Sequence, residues 1–417
     1  KKKIFWRIMK AVTITKYTDI EKFDNIEYTE TAKVPTITKD NEVKIQVQRS
    51  CVSSGDLRVQ RGDAKLVLKL NFPQILGVDM AGIVEEVGSK VKNVKKGDRV
   101  VACNIGLGAW AEYAVVSNDF VGKIPKDMPI TKAGAIPTSL QTAFHCFDKL
   151  VPKSREKLIN GTLKDSLKGK HIMINGASGG VGTCAVLLAK HLFGMVVWAV
   201  CSKKNHEVVK QLGADYCIDY KTEDFKKKYD KKQPLFAFID TVGNGQSGAM
   251  SLMNSKGNFI LVGLGWESTG FFLIVGMITN LLWRKFLSFF RRPKYVLVDF
   301  KDDGVLLEKL YEFLDKQNLH ELLPIQEMVE LKDIVKGLKI VNTHRTVGKV
   351  AVNIDGSEED DEEEEEQHGE ESASSEIPYL NSKNLELVEE EDDEVNESHP
   401  STDVEEEEKV ENADDTN

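Results

Sequence analysis

Polar and apolar positions alternate with a period of two along the first third of the chain. The run at 43–47 is a clear case, and similar short runs lie at 11–14, 82–88, 98–102 and 111–116, bounded by glycine or charged residues. Alternation of this kind is typical of β-strands that bury one face and are joined by tight turns. This part of the chain therefore predicts a β-rich, barrel-like domain.

The pattern changes from about residue 132, where short apolar runs alternate with longer amphipathic ones. This succession predicts strands and helices in turn, and hence a parallel, doubly wound sheet. A loop-bearing connection is predicted at 151–167, and a last helix and strand at 305–314 and 347–353. The predicted strands of the sheet are 172–175, 195–201, 216–219, 235–240 and 258–262, and the predicted helices between them are 183–193, 205–212, 223–229 and 246–253.

A glycine-rich loop joins the first strand and the first helix of this predicted sheet. Residues 175–182 read Asn-Gly-Ala-Ser-Gly-Gly-Val-Gly, with the spacing Gly-x-x-Gly-x-x-Gly. Glycines bring backbone N–H groups close to a pyrophosphate, whose charge also meets the positive end of the helix dipole. Tight turns also use glycine for steric reasons alone. The strand–loop–helix context favours a dinucleotide-binding loop.

Charge is distributed unevenly. The chain of 417 residues carries a net charge of −10. Residues 355–417 hold 29 acidic residues and two lysines, a net charge of −27, so residues 1–354 carry +17. Like charges with little apolar surface predict a disordered acidic tail, whose partner the sequence does not name. Ser357 and Thr402 precede acidic residues in a pattern that resembles acidophilic-kinase sites. No nucleic-acid partner is predicted.

Six cysteines are scattered along the chain without a Cys-x-x-Cys pair. This spacing argues against a disulfide framework or a structural zinc site, and it indicates a reducing compartment.

Short motifs also follow one another in a specific order. They are Met-Lys-Ala-Val at 9–12, Leu-Gly-Val-Asp-Met-Ala-Gly-Ile-Val at 76–84, Lys-Gly-Asp-Arg-Val at 96–100, the glycine loop, Leu-Gly-Ala-Asp at 212–215, Asp-Thr-Val-Gly at 240–243 and Gly-Lys-Val at 348–350. Through these motifs, over roughly 9–354, the chain resembles the zinc-independent, quinone-oxidoreductase-like branch of the medium-chain dehydrogenase/reductase superfamily. Within it, the chain is similar to the reticulon-interacting and vesicle-amine-transport-type reductases and their fungal relatives.

The resemblance implies an α/β fold in which a GroES-like, β-rich domain is split around a Rossmann doubly wound parallel sheet, with the active site in the cleft between them. The predicted organisation is a basic N-terminal extension (1–8), the first part of the GroES-like domain (9–135), the Rossmann domain (136–299), the return to the GroES-like domain (300–354) and the disordered acidic tail (355–417).

Zinc-dependent members of this superfamily carry a ligand Cys and a ligand His at positions that align with Ser53 and Val78. Valine has no donor atom, and a neutral hydroxyl is a poor zinc ligand. We therefore predict no metal site, with Cys51, two residues away, as the one alternative ligand under a shifted alignment.

The residues that follow the second predicted strand bear on cofactor choice. NAD enzymes place an acidic residue about 20 positions past the glycines, to accept from the ribose 2′-OH. That place reads Cys-Ser-Lys-Lys-Asn at 201–205, which favours the 2′-phosphate of NADPH, although lysines at the start of a helix are also common on surfaces. Together with the positions that the resemblance implies, the predicted cofactor-binding residues are Ser178, Gly179, Gly180, Val181, Ser202, Lys203, Lys204, Tyr220, Val242 and Gly243.

Without a metal or a Ser-His-Asp arrangement, the expected chemistry is hydride delivery to a quinone or an α,β-unsaturated carbonyl, because the acceptor's own carbonyl takes the developing charge. The catalytic candidates by position are Ser53, Ser54 and Thr142, each of which could instead be a hydroxyl satisfied by the backbone. The branch often has Asn-Pro where this chain has Ser53-Ser54.

An apolar insert followed by cations occupies 271–295. It predicts either a core or homodimer-interface helix over the cleft, or an interfacial helix in peripheral membrane contact, supported by the basic, aromatic segment 1–8. The expected location is the cytoplasm, including the surface of an intracellular membrane, lipid droplet or mitochondrion. The alternative to a reductase is a membrane-associated adaptor that keeps the nucleotide-binding fold with little or no turnover.

Overall fold

The structure is a computed structural model that describes residues 7–18, 22–63, 65, 68–105, 107–229, 233–262, 293–298 and 302–357. Its strands are β1 (Ile8–Ile14), β2 (Ile26–Lys33), β3 (Glu42–Val52), β4 (Gln74–Ile75), β5 (Asp79–Val87), β6 (Arg99–Cys103), β7 (Tyr113–Ser117), β8 (Val121–Lys123), β9 (His171–Asn175), β10 (Val196–Cys201), β11 (Tyr216–Asp219), β12 (Leu235–Asp240), β13 (Met253–Leu261), β14 (Lys294–Leu297), β15 (Ile325–Glu330) and β16 (Lys349–Asn353). Its α-helices are α1 (Ser54–Arg61), α2 (Ile130–Ala135), α3 (Pro137–Asp148), α4 (Ser154–Ile159), α5 (Gly180–Leu187), α6 (His206–Gln211), α7 (Phe225–Lys228), α8 (Gln246–Met250), α9 (Gly304–Asp315) and α10 (Ile334–Asn342).

The GroES-like part is built on a sheet with the strand order β15-β16-β3-β5-β6-β8, and β7 pairs with β3 beside it. The long strand β3 is the centre of this sheet. Its first half pairs with β7, and its last residues pair antiparallel with β16, so that Val52 faces Val350. A smaller sheet has the order β2-β1-β4. The two separated stretches of chain therefore complete one domain, as the fold-class prediction requires.

In the described residues, the Rossmann part is a six-stranded sheet with the order β11-β10-β9-β12-β13-β14, in which every pairing is parallel. Counted from β9, this order is that of the doubly wound dinucleotide-binding fold, in which strands are added first on one side of β9 and then, from β12, on the other. The carboxyl ends of β9 and β12 therefore lie side by side at the point where such folds bind ligands.

One buried apolar cluster joins the two parts. It contains Cys51 and Ala81 from the GroES-like sheet, Ile174 from β9, and Phe144 and Phe147 from α3. Phe147 also stacks on Phe193, with ring centroids 4.4 Å apart. Because α3 packs against β5 and β6 of the GroES-like sheet and against α5 of the Rossmann part, it fixes the two walls of the space between them.

Several predicted element bounds differ from the structure. The helix predicted at 183–193 begins at Gly180 and ends as an α-helix at Leu187, followed by a π-helical turn, Leu188–Leu192. Met253 was predicted to end a helix but begins β13, and the connection at 151–167 contains α4. Strand β2 has no alternating pattern to detect, because most of its residues are exposed on both faces.

Arg49 is buried on β3 with 1% of its surface exposed and holds the end of the described chain. Its guanidinium donates to Asn353 Oδ1 at 3.0 Å, Asp355 Oδ1 at 2.9 Å and the carbonyl oxygen of Ser357 at 2.8 Å. Residues 355–357, predicted to start the tail, thus contact the folded part.

Most of the insert at 271–295 lies outside the described residues, as do residues 1–6 and the chain beyond Ser357; Lys294 and Tyr295 of the insert belong to β14. Within the described ranges, no helix combines the length and apolar character needed to cross a membrane.

Candidate functional site

The glycine loop lies between the end of β9 and the start of α5. Gly176 has φ +77°, and an added Cβ there would overlap the Thr241 side chain. An added Cβ on Gly182 would overlap the Gly176 carbonyl oxygen. At Gly179, by contrast, the nearest atom to an added Cβ is the Gly176 carbonyl oxygen at 3.5 Å. The outer glycines thus form the turn, and the middle one, whose own N–H donates to the Gly176 carbonyl oxygen at 3.1 Å, leaves space beside the loop for a ligand.

A cleft of about 1280 Å³ lies between this loop and the GroES-like part. Its volume exceeds the roughly 300–1,000 Å³ of most small-molecule sites, so that it can hold a dinucleotide and a substrate together. The nucleotide-side lining includes Ser178, Gly179, Gly180, Val181, Ser202, Lys204, Asn205, Tyr220, Thr241 and Val242. The opposite wall includes Val52, Ser53, Ser54, Val59, Leu68, Val78, Ile105, Leu107, Val341, Arg345 and Lys349.

Two predicted cofactor residues are placed differently from the rest. Lys203 and Gly243 are not among the described residues that line the cleft. Lys203 starts a 3₁₀ turn with its side chain exposed, and the Gly243 N–H donates to Asp240 Oδ1 at 2.9 Å. Lys204, one residue on, faces the cleft together with Lys221 and Lys226. The cations at this end therefore come from two segments, one after β10 and one after β11 that includes the start of α7, and the sequence indicated only the first.

Ser178 is held in place by a residue that the sequence did not single out. Asn205 is 7% exposed, and its Nδ2 donates to Ser178 Oγ at 2.9 Å. Asn175 and Asp240 are linked in the same way, because Asn175 Nδ2 donates to Asp240 Oδ1 at 3.0 Å. Asp240 Oδ2 also accepts the Gly245 N–H at 2.8 Å. These bonds fix the loops at the ends of β9, β10 and β12 relative to one another.

On the opposite wall, Ser53 is the N-cap residue of α1 and faces the cleft. Its hydroxyl donates to Asp56 Oδ2 at 2.7 Å, and its backbone N–H donates to the same oxygen at 2.8 Å. Asp56 is 1% exposed, and burial, only partly offset by the bonds from Ser53, raises its pKa to about 6. Ser54 and Thr142, the other catalytic candidates, also line the cleft. The structure therefore brings all three predicted hydroxyls to one cavity.

A buried polar cluster centred on Asp79 lies beneath this wall. Asp79 Oδ2 accepts from Cys51 Sγ at 3.2 Å and lies 3.8 Å from Lys349 Nζ, while Oδ1 accepts the Thr138 N–H at 2.8 Å and the Thr138 hydroxyl. Burial would lower the pKa of Lys349, but Cys51 and Asp79 outweigh it and raise that pKa above its ordinary value. Burial raises the pKa of the Cys51 thiol, which is therefore neutral.

This cluster bears on the metal question. Val78 presents no donor atom to the cleft, and the carboxylate of Asp79 already has the Lys349 ammonium as its counter-ion. No group of three or more His, Cys, Asp or Glu side chains that could hold a metal ion occurs in the described part of the chain. The donor set near Cys51 thus consists of a neutral thiol and a paired carboxylate.

Two protein-family models match this chain. The model described as "Alcohol dehydrogenase GroES-like domain" matches residues 39–126, and the one described as "Zinc-binding dehydrogenase" matches 180–291. The two matches cover the two structural parts that face each other across the cleft.

Similar curated proteins are reductases and quinone oxidoreductases. A 2-methylene-furan-3-one reductase of Solanum lycopersicum is 27% identical over 347 residues, covering 81% of this chain and 78% of the relative. The mitochondrial NAD(P)H oxidoreductase RTN4IP1 of Homo sapiens is 32% identical over 250 residues, covering 57% and 60%. The chloroplast envelope quinone oxidoreductase homolog of Arabidopsis thaliana is 39% identical over 211 residues, covering 48% and 61%. The match thus spans less than two thirds of the length of the last two relatives.

Solved structures show the same fold. The quinone oxidoreductase from Coxiella burnetii superposes with a TM-score of 0.68 at 24% identity, covering 84% of this chain and 100% of that one. The Escherichia coli quinone oxidoreductase complexed with NADPH gives 0.62 at 20% identity, covering 82% and 99%.

A glycine loop at the carboxyl edge of a Rossmann sheet, facing a GroES-like domain across a cleft, defines a two-domain dehydrogenase/reductase. The chain belongs to the medium-chain dehydrogenase/reductase superfamily, in its quinone-oxidoreductase-like branch.

Proposed function

We propose that the protein is an NADPH-dependent, zinc-independent reductase that transfers hydride to a quinone or an α,β-unsaturated carbonyl. The observation that carries the proposal lies at the end of β10, where Ser202 and Lys204 face the cleft in the place of a ribose-binding carboxylate. A hydroxyl and an ammonium attract a 2′-phosphate, whereas a carboxylate would repel it.

The residues of the nucleotide side fit a dinucleotide. The N-terminus of α5 would hold the pyrophosphate in the space beside Gly179, and Ser178, oriented by Asn205, would donate to it. When bound, the nicotinamide would supply a hydride. Arg345 lines the cleft from the GroES-like side and adds a further cation there.

The opposite wall supports an apolar, planar acceptor. Val59, Leu68, Val78, Ile105 and Leu107 line it and exclude water from the reacting atoms. Reduction of a quinone or enone needs no Lewis acid, because the acceptor's carbonyl oxygen takes the developing negative charge. We assign the Val78 and Ser53 positions to substrate contact, and not to metal binding.

The proton that completes the reduction must come from a polar group at the cleft. Ser53 is the hydroxyl in best position among the three candidates, because its Oγ contacts Asp56 at 2.7 Å, and Asp56 can be protonated near neutral pH. Ser54 and Thr142 remain the other candidates.

A small-molecule quinone or enone is the proposed partner. Three further statements stay predictions. They are a homodimer, peripheral membrane contact through 271–295, and a location in the cytoplasm or on an intracellular membrane, lipid droplet or mitochondrion.

The test combines binding and turnover on the purified full chain. NADPH and NADH affinities are measured by calorimetry, and NADPH oxidation is then followed with a panel of quinones and enones. Tighter binding of NADPH and turnover with at least one acceptor support the proposal. Equal affinity for both nucleotides contradicts the cofactor assignment. NADPH binding without turnover across the panel favours the adaptor alternative.

A further inference from the structure

The last described residues of the chain form a compact turn on a buried cation. Ser357 Oγ donates to Asp355 Oδ1 at 2.8 Å and accepts from Arg49 Nη1 at 3.2 Å. The Ser357 carbonyl oxygen accepts from Arg49 Nη2 at 2.8 Å, and its N–H donates to Asp355 Oδ1 at 3.0 Å. Gly356, with φ +74°, allows the turn. Ser357 is half-buried, so that its hydroxyl lies at the boundary between the folded part and the acidic segment.

The sequence after this turn is entirely acidic for nine residues, from Glu358 to Glu366. Serine followed by acids at the next three positions is the pattern that acidophilic serine/threonine kinases accept. The kinase pattern and the hydrogen bonds described above therefore concern the same hydroxyl, that of Ser357. The pattern makes Ser357 a candidate substrate, and the contacts with Asp355 and Arg49 determine what a phosphate there would do.

We propose that Ser357 is a phosphorylation site for an acidophilic kinase, and that its phosphorylation releases the start of the acidic segment from Arg49. In the reaction, Ser357 Oγ forms a bond to the γ-phosphorus of ATP, the bond from that phosphorus to the bridging oxygen of ADP breaks, and the hydroxyl proton is lost. The product has no hydroxyl hydrogen to donate to Asp355.

The negative charge of the phosphate determines whether phosphorylation strengthens or weakens the contacts of Ser357. The phosphate adds close to two negative charges at a position where the hydroxyl now contacts a carboxylate. One guanidinium cannot balance Asp355 and a phosphate together, and it is already bonded to Asn353 and Thr131. Asp355 keeps its own bond to Arg49, so the release begins at Gly356. Strand β16 stays paired with β3.

The modification is tested on the full chain with ATP and a purified acidophilic kinase, followed by mass spectrometry. Ser357 should acquire one phosphate, and Asp360→Lys should slow this step about tenfold, because it removes the acid three residues on. Asp355→Asn, which weakens the hydrogen bond from the Ser357 hydroxyl, should raise the rate of Ser357 phosphorylation several-fold. The rate of phosphorylation at Thr402 in the same sample is the internal comparison. An acidic substrate peptide shows that the kinase is active. Absence of phosphate at Ser357 in both the wild type and Asp355→Asn overturns the proposal, whether or not Thr402 is modified.

Release is read out by hydrogen exchange of the phosphorylated protein. The Ser357 amide, bonded to Asp355, should exchange about tenfold faster after phosphorylation, while β16 stays protected. Ser357→Ala treated with kinase is the matched control and should show no added change. Slower exchange at this amide would mean that the phosphate docks on Arg49, and it would overturn the release.

Discussion

The backbone N–H of Gly348 donates to the carbonyl oxygen of Ser178 at 2.8 Å. Gly348 immediately precedes β16 of the GroES-like sheet, and Ser178 belongs to the glycine loop of the Rossmann part. Gly179 and Gly348 also form an isolated parallel bridge. The two domains are thus joined by main-chain bonds at the loop that would hold the cofactor, so that the shape of the loop depends on both.

Replacing Gly348 should be costly. It has φ +63°, and an added Cβ would overlap the Pro324 carbonyl oxygen and lie 2.7 Å from Pro324 Cγ. We expect Gly348→Ala to lower the free energy of unfolding by about 3 kcal/mol or more, since strain and overlap add. Gly356→Ala is the control: it has φ +74° with nothing within 4 Å of an added Cβ, and should cost only about 1 kcal/mol. Equal losses in urea unfolding would refute the overlap argument.

Substitutions at Lys204 and at Lys203 distinguish a direct contact with the cofactor from a general effect of surface charge. Lys204 lines the cleft, whereas the side chain of Lys203 is exposed outside its lining. Lys204→Glu should weaken NADPH binding about tenfold, a loss of roughly 1.4 kcal/mol, and leave NADH affinity nearly unchanged. Lys203→Glu should change NADPH affinity by less than about twofold. Calorimetric titration checks both, and a larger effect at Lys203 would count against the assignment.

The charge of Lys349 should contribute to the free energy of unfolding. Its side chain is 6% exposed and that of Asp79 1% exposed, so that Lys349→Met leaves a buried carboxylate without its cation. We expect a loss of about 3–5 kcal/mol in unfolding free energy. Asp79→Asn combined with Lys349→Met should recover part of it. Lys336→Met, which breaks an ion pair with Glu327 on a side chain that is 65% exposed, should cost less than about 1 kcal/mol. If the double variant is no more stable than Lys349→Met alone, the two charges are not coupled.

Asp56 should make the protein less stable as pH rises. Burial raises its pKa to about 6 in the folded chain, above the ordinary value of 3.8. Between these values the folded state binds more protons than the unfolded state, so stability falls with increasing pH, by about 3 kcal/mol in total. Urea unfolding from about pH 4 to about pH 7 should show this fall, and Asp56→Asn should reduce it. Asp302, whose pKa burial also raises to about 6, should contribute with the same sign, so Asp302→Asn should reduce the remaining slope. Parallel curves for Asp56→Asn and the wild type would exclude the effect.

The metal prediction has a direct measurement. Because Val78 lacks a donor and Asp79 is paired with Lys349, the purified protein should hold no stoichiometric zinc, and a chelator should leave turnover unchanged. Elemental analysis is the test, and one zinc ion per chain would contradict the prediction.

Local sequence signals predicted the parts of the site whose shape is set locally. The glycine loop could be recognised because the turn and the start of α5 depend on adjacent residues. Local signals could not identify three other residues of the site, because each reaches the cleft only when distant strands pair. These residues are Asn205, Lys349 and Arg345. The partner of Ser53 was missed for a different reason. Asp56 lies three residues away, but its role depends on α1, a short helix with few apolar residues.

The pairing of Val52 with Val350 also has a consequence for synthesis of the chain. At roughly 5–20 residues per second, the ribosome needs on the order of tens of seconds to add the residues that separate β3 from β16. During that interval β3 lacks one neighbour, while β9 to β14, which follow one another along the chain, can already associate. The nascent protein can therefore pass through a stage with a finished Rossmann sheet and an unfinished GroES-like one. An uncovered strand edge at that stage is a site for chaperones or for aggregation.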